Sequence, residues 1–144
     1  MTVGEIAERL YLSLIGVSVL VGIYGFMLYR NSWRWRQLAA SYPAPPGEKP
    51  DAQHWTNLVL TGVNPAWNSY SGITLIGVNR RGVFVRLLPP FSFLHAPLFF
   101  PHHQVSLTPT RWLLQDAYEI ELNGGFPIRM IINAKAKGWI ERQL

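Results

Sequence analysis

The 144-residue chain contains no cysteine. That excludes disulfides, thiolate metal sites and cysteine nucleophiles together. Charge is scarce too. Asp, Glu, Lys and Arg make up 15% of the residues, against roughly 25% in a typical soluble domain. Between 52 and 115 there is no acidic side chain at all. His95, His102 and His103 fall inside that stretch, so no carboxylate close in sequence can complete a metal site with them or orient a catalytic base. His102 and His103 are adjacent, which on a strand points them to opposite faces. No serine sits in a nucleophile-elbow pattern, and no glycine-rich loop opens a helix to cradle phosphate. These absences lead us to expect a protein with no catalytic residues, no metal and no cofactor.

The missing charge is concentrated in one place. Residues 10–29, "LYLSLIGVSVLVGIYGFMLY", carry no ionisable group apart from three tyrosines. A run of about 20 apolar residues rises about 30 Å as a helix, the thickness of a bilayer core. A cleaved signal peptide carries a positive n-region and a shorter apolar stretch. Here Glu5, Glu8 and Arg9 precede the run, and the run is longer. The expectation is a transmembrane helix. Arg30, Arg34 and Arg36 follow it and only Arg9 precedes it. Because cations are retained on the cytoplasmic side, the N-terminus is expected outside, with the remainder cytoplasmic at a bacterial inner membrane. Arg30, Trp33, Arg34, Trp35 and Arg36 read as a basic-aromatic anchor at the membrane surface. The net charge of +5 suits an anionic bilayer, and a cluster abutting lipid argues against nucleic acid. Within the run, Ser18, Gly22, Gly25 and Tyr29 recur at spacings of 4, 3 and 4, forming a face of small residues suited to packing against another helix.

Three regions follow: 1–36, the tail, span and anchor; 37–53, a helix end and a proline-rich linker; and 54–144, a small domain. Four prolines between 43 and 50 favour an extended, semi-rigid spacer. The domain is mainly β. Residues 55–63 and 72–79 are rich in β-branched residues, and "NRRG" (79–82) predicts a hairpin joining 72–79 to 82–88. Short strands are expected at 105–107, over 111–122 and over 126–133, with "NGG" (123–125) as the turn between the last two. Residues 134–144 read as a helix, with Ala136, Trp139, Ile140 and Gln143 on one face. Such a helix can plug the open end of an antiparallel barrel.

"IGVN" (76–79), "GVFVRLL" (82–88), "FSFLHAPLFFP" (91–101) and "HHQVSL" (102–107) follow one another in an order that resembles small bacterial membrane-anchored proteins with a pleckstrin-homology-like domain, and "WRQLAASYPA" (35–44) is similar to the segment before such domains. A histidine stands at 102 where that pattern has tryptophan. The resemblance implies an antiparallel PH-like barrel closed by the C-terminal helix. Residues 91–101 would connect the strand at 82–88 to the strand at 103–107. Phe91, Phe93, Leu98 and Phe99 would serve as core or interface plugs, with Pro97 and Pro101 at the bends. Arg80, Arg81 and Arg86 become possible contacts for lipid phosphates, and Phe91, Phe93 and Phe99 for a membrane or a protein.

Two function classes fit these readings. One is a single-span accessory subunit that stabilises or helps assemble a larger bacterial membrane complex, of respiratory or photosynthetic type. The other is a membrane-tethered adaptor whose PH-like domain binds anionic lipid or a protein partner at the cytoplasmic surface.

Overall fold

The computed structural model describes residues 2–122 and 126–143, in two compact units that divide after Ser32. The first unit is helix α1, Val3–Asn31. Thr2 starts it: its Oγ1 accepts from the Glu5 backbone N–H at 3.2 Å, and the Glu5 carboxylate accepts from the Thr2 N–H at 2.9 Å. This reciprocal cap begins the helix seven residues before the apolar run. α1 is long and apolar enough to cross a bilayer, and none of its residues is buried.

The second unit opens with helix α2, Trp33–Ser41. Strands β1 (Ala52–Gly62), β2 (Asn64–Val78), β3 (Gly82–Leu87) and β4 (Leu98–Pro101) follow. A 3-10 turn over His102–Gln104 leads to β5 (Val105–Trp112), β6 (Gln115–Leu122), β7 (Arg129–Asn133) and helix α3 (Ala134–Gln143). The strands form one antiparallel sheet in the order β4-β3-β2-β1-β7-β6-β5. β4 and β5 are thus opposite edges, yet only three residues join them. The four Cα steps from Pro101 to Val105 span at most about 14 Å, so the sheet must curl to bring the end of β4 toward the start of β5, which makes it a half-barrel. A register shift between Thr56 and Leu58 sharpens the curl. There Asn57 Oδ1 accepts the Gly72 N–H at 2.6 Å.

Period-2 alternation places Leu58 and Leu60, Ile76 and Val78, Val83 and Val85, Met130 and Ile132 inside. Trp35 and Leu38 of α2 and Ala136 and Ile140 of α3 complete this core. Asn133 Oδ1 caps α3 by accepting the Ala136 N–H at 2.8 Å. The 79–82 hairpin forms as expected, with Val78 opposite Val83. The turn at 123–125 lies outside the described residues.

Four expectations need correction. First, residues 91–101 are more than a connection, because Leu98–Pro101 pair with β3 as an additional strand. The chain then passes to the far edge of the sheet, so β5 pairs with β6 and not with its predecessors. Second, residues 43–50 are folded onto the sheet. The Ala44 N–H donates to Pro97 O at 3.1 Å, and Tyr42 O accepts from Phe99 N–H at 3.0 Å. These bonds cover the β4 edge that would otherwise invite another strand. Pro50 packs over Gly77 so closely that a β-carbon there would lie 2.5 Å from the Pro50 Cβ. The proline segment therefore belongs to the β unit, which begins at Trp33 and not at 54.

Third, 111–122 is two strands. The chain turns at Leu113 and Leu114, whose φ angles are 48° and 67°. Both residues of a tight hairpin turn need positive φ, which is why Asn-Gly is favoured there. The leucines hide the turn from a sequence reading. Fourth, β5 reaches Trp112, well past 107. Pro109 is tolerated because β5 is an edge strand.

Left-handed backbone costs an L-residue roughly 1–2 kcal/mol. Leu113→Asn combined with Leu114→Gly should therefore raise the denaturant midpoint, corresponding to a gain of about 1–2 kcal/mol in unfolding free energy in total. Chemical denaturation followed by circular dichroism measures this.

Candidate functional site

The first turn of α2 carries the densest polar network in the β unit. Arg34 is 2% exposed. Its Nη1 donates to Asn68 Oδ1 at 2.8 Å, and its Nη2 donates to Asn64 Oδ1 at 2.7 Å and Ala66 O at 2.8 Å. Its Nε donates to Gly62 O at 3.3 Å. One guanidinium thus gathers the whole β1–β2 turn, using the planar fork of donors that only arginine offers. Trp33 lies against it, with the ring centroid 4.4 Å from Cζ. Burial pulls the Arg34 pKa below its ordinary value.

Trp35 is completely buried. Its Nε1–H donates to Ala96 O at 2.7 Å, fixing the loop between β3 and β4. Its ring meets Tyr70 and His95 edge-on, each at 5.4 Å between centroids. Tyr70 and His95 also meet each other, with Oη 3.4 Å from Nε2. Burial pushes the Tyr70 hydroxyl up to about 12, so it stays protonated. Burial is also the main influence on His95 and lowers its pKa. The neutral ring fits its partners: Nδ1–H donates to Phe93 O at 2.7 Å, and Nε2 accepts from Tyr70. Adjacent residues of one helical turn therefore hold two separate loops, 62–68 through Arg34 and 91–96 through Trp35.

The other residues singled out in the sequence are scattered. Ser18, Gly22 and Tyr29 are exposed on α1 and Gly25 nearly so, and nothing lies within 4 Å of a β-carbon built at Gly22 or Gly25. Arg30 is exposed, and Trp33 and Arg36 are half-buried. Arg34 and Trp35 cannot serve as a surface anchor, because the core and the β1–β2 turn claim them. Arg81 pairs with Glu48 at 2.6 Å, and Arg86 approaches Gln53 at 3.4 Å. Arg80 and Arg81 sit beyond Val78, whereas Arg34 grips the other end of β2. Those ends are separated by 14 residues, roughly 46 Å of strand path. Phe99 is not a contact residue either. It is 9% exposed and packs on Phe84 with centroids 4.9 Å apart. Phe91 and Phe93 do remain open, at 47% and 69% exposure.

The open side of the half-barrel holds a cavity of about 740 Å³, walled by Val83, Phe100, Val105, Leu107, Ile120 and Ile140, with Arg80 and His102 on its rim. Its wall is apolar. His102 Nε2 is engaged with Asn79 O at 2.8 Å. Among the described residues no three His, Asp or Glu side chains gather as metal ligands.

Two signals were misread in the sequence. Trp and Arg behind an apolar run look alike whether they face lipid or a protein core. The partners of Arg34 are two asparagines about thirty residues away, and Tyr70 and His95 meet Trp35 only through the fold. Comparison with protein-family models, curated proteins and solved structures finds no match to this chain.

The His95 arrangement has a definite pH consequence. Its folded pKa lies below the unfolded value of about 6.5, so the unfolded chain takes up a proton first. The associated stability is complete above pH 6.5 and is lost as pH falls from there toward the folded pKa. Thermal melting should show a lower midpoint at pH 5 than at pH 7.5, and His95→Asn should reduce that difference.

Proposed function

We propose that the chain is a single-span, non-enzymatic membrane protein that works as an accessory subunit, stabilising or helping to assemble a larger bacterial membrane complex, with α1 crossing the bilayer and the β unit on the cytoplasmic side as a PH-like domain. The observation that carries this reading is the burial of Arg34 and Trp35. Ser32 alone separates α1 from α2, and the first turn of α2 is locked into the β unit. The segment expected to act as a spacer is packed down on the sheet. A domain tied so closely behind a membrane helix has no reach, and its partners must lie in or on the same membrane. The open faces of Gly22 and Gly25 on α1 suit close approach of a second helix, since in lipid close backbone contact is what drives association. Arg80 and Arg81 lie at the far end of β2 from Arg34, and Arg81 is engaged with Glu48. This weighs against the adaptor reading in which those arginines bind lipid phosphate.

Purification of a tagged chain in mild detergent, followed by mass spectrometry, tests the proposal. A constant set of integral membrane proteins should accompany the chain, and Gly22→Leu should release them while leaving membrane insertion intact. A chain that migrates alone in mild detergent would overturn the accessory reading.

A further inference from the structure

Among the described residues, four non-glycine positions have positive φ: Val63, Leu94, Leu113 and Leu114. All four are aliphatic, although such positions favour Gly, Asn or Asp. Val63, Leu113 and Leu114 are also exposed, at 69%, 67% and 91%. They sit on two different turns, β1–β2 and β5–β6. The fold brings these turns together: the half-exposed Trp67 meets Trp112 edge-on, with centroids 5.4 Å apart. Strained backbone, exposed aliphatic side chains and a pair of tryptophans therefore coincide at one end of the β unit. For folding alone each of these leucines is the wrong residue, and strain of this kind is kept where something other than stability requires the side chain.

We infer that Val63, Trp67, Leu113 and Leu114 form an apolar prow that dips into the interfacial layer of the lipid bilayer beside α1. This rests on the reading that α1 spans the membrane. The occupant is fixed by covalent reach. Asn31 ends α1, and Arg34, three residues later, hydrogen-bonds the β1–β2 turn itself. Three residues extend at most about 11 Å, and the Arg34 side chain bridges the rest of the way, so the chain itself tethers this turn to the residues that leave the helix. Tyr29 and Arg30 mark that end as the level of the headgroups, where tryptophan is favoured. Leucine side chains entering this layer leave water for acyl chain, as in other interfacial anchors. The charges nearby do not drive the contact: Arg111 faces Asp116 at 3.9 Å, and the Arg34 cation is buried under the β1–β2 turn, so the side chains presented at the tip are apolar. Insertion is therefore largely independent of salt.

The absence of native cysteine makes the test clean. Single cysteines at Leu114, Val63, Ile23 and Arg80 carry a polarity-sensitive fluorophore in the full chain, reconstituted into phosphatidylcholine-phosphatidylglycerol vesicles. Nitroxide-labelled lipids serve as quenchers. Ile23 reports whether α1 is in the bilayer. The expected result is blue-shifted, quenched emission at Leu114 and Val63, unchanged by added salt, with Arg80 emitting as in water. Leu113→Asn beside the Leu114 probe should lose most of the quenching. If Ile23 is quenched and Leu114 is not, the prow does not enter lipid and the single-span reading survives. If Ile23 is unquenched, both fall. Equal quenching at Leu114 and Arg80 overturns the inference, as does quenching that ignores Leu113→Asn, since the probe alone then sought the lipid. Shielding of Leu114 from a charged thiol reagent without lipid quenching would mean that a protein or a second copy covers the tip, and would also overturn it.

Discussion

Arg34 brings a cation into a place from which water is almost excluded, and four oxygens from the β1–β2 turn make that possible. Removing the guanidinium would leave those oxygens facing each other, and removing the oxygens would leave a buried charge unsatisfied, which is far more costly than an exposed one. One residue on, the Trp35 indole is closed in by Tyr70, His95 and the Ala96 carbonyl. Truncating a buried tryptophan costs about 3–5 kcal/mol, a large share of the roughly 5–15 kcal/mol that holds a typical domain together. The polar fork and the aromatic wedge act on opposite loops from a single helical turn. The position of both loops, and with them the curl of the sheet above, depends on that turn.

From this constraint the chain that follows has little freedom. α2 delivers Tyr42, Pro43 and Ala44 to the edge of β4, where they take up hydrogen bonds that an exposed edge would offer to another chain. Residues 45–50 then cross the outer face of the sheet, where Pro50 fits over Gly77 and Glu48 meets Arg81 and Asn79. A β-carbon at position 77 would force this strap off the sheet. This explains why β3 is buried on both faces although it lies one strand from an edge.

Much of the architecture could be read from residue patterns. The charge-free run gave α1, β-branched alternation gave most strands, Asn79–Gly82 gave a hairpin, and the spacing of Ala136 and Ile140 gave α3. What could not be read was decided by tertiary contacts. Proline density at 43–50 describes an extended chain equally well whether it is free or packed on a sheet. A pair of leucines gives no turn signal, because the usual residues at positive φ are absent. "WRWR" after an apolar segment has the composition of a membrane belt. Only the distant asparagines and the His95 loop make it a core element. The arginines at 80 and 81 were legible as a turn, but their distance along β2 from the Arg34 end was not.

The central claim is that the turn behind α1 is locked into the β unit. Hydrogen exchange at the Trp35 indole N–H tests it most directly, because that proton is held by Ala96 O and exchanges only when the lock opens. With the full chain in detergent micelles, the account predicts protection of the Trp35 indole comparable to the backbone amides of Leu58 and Leu60 in β1, so that they open together. Exchange as fast as that of the exposed Trp55 indole would mean that α2 frays independently of the sheet and would contradict the account.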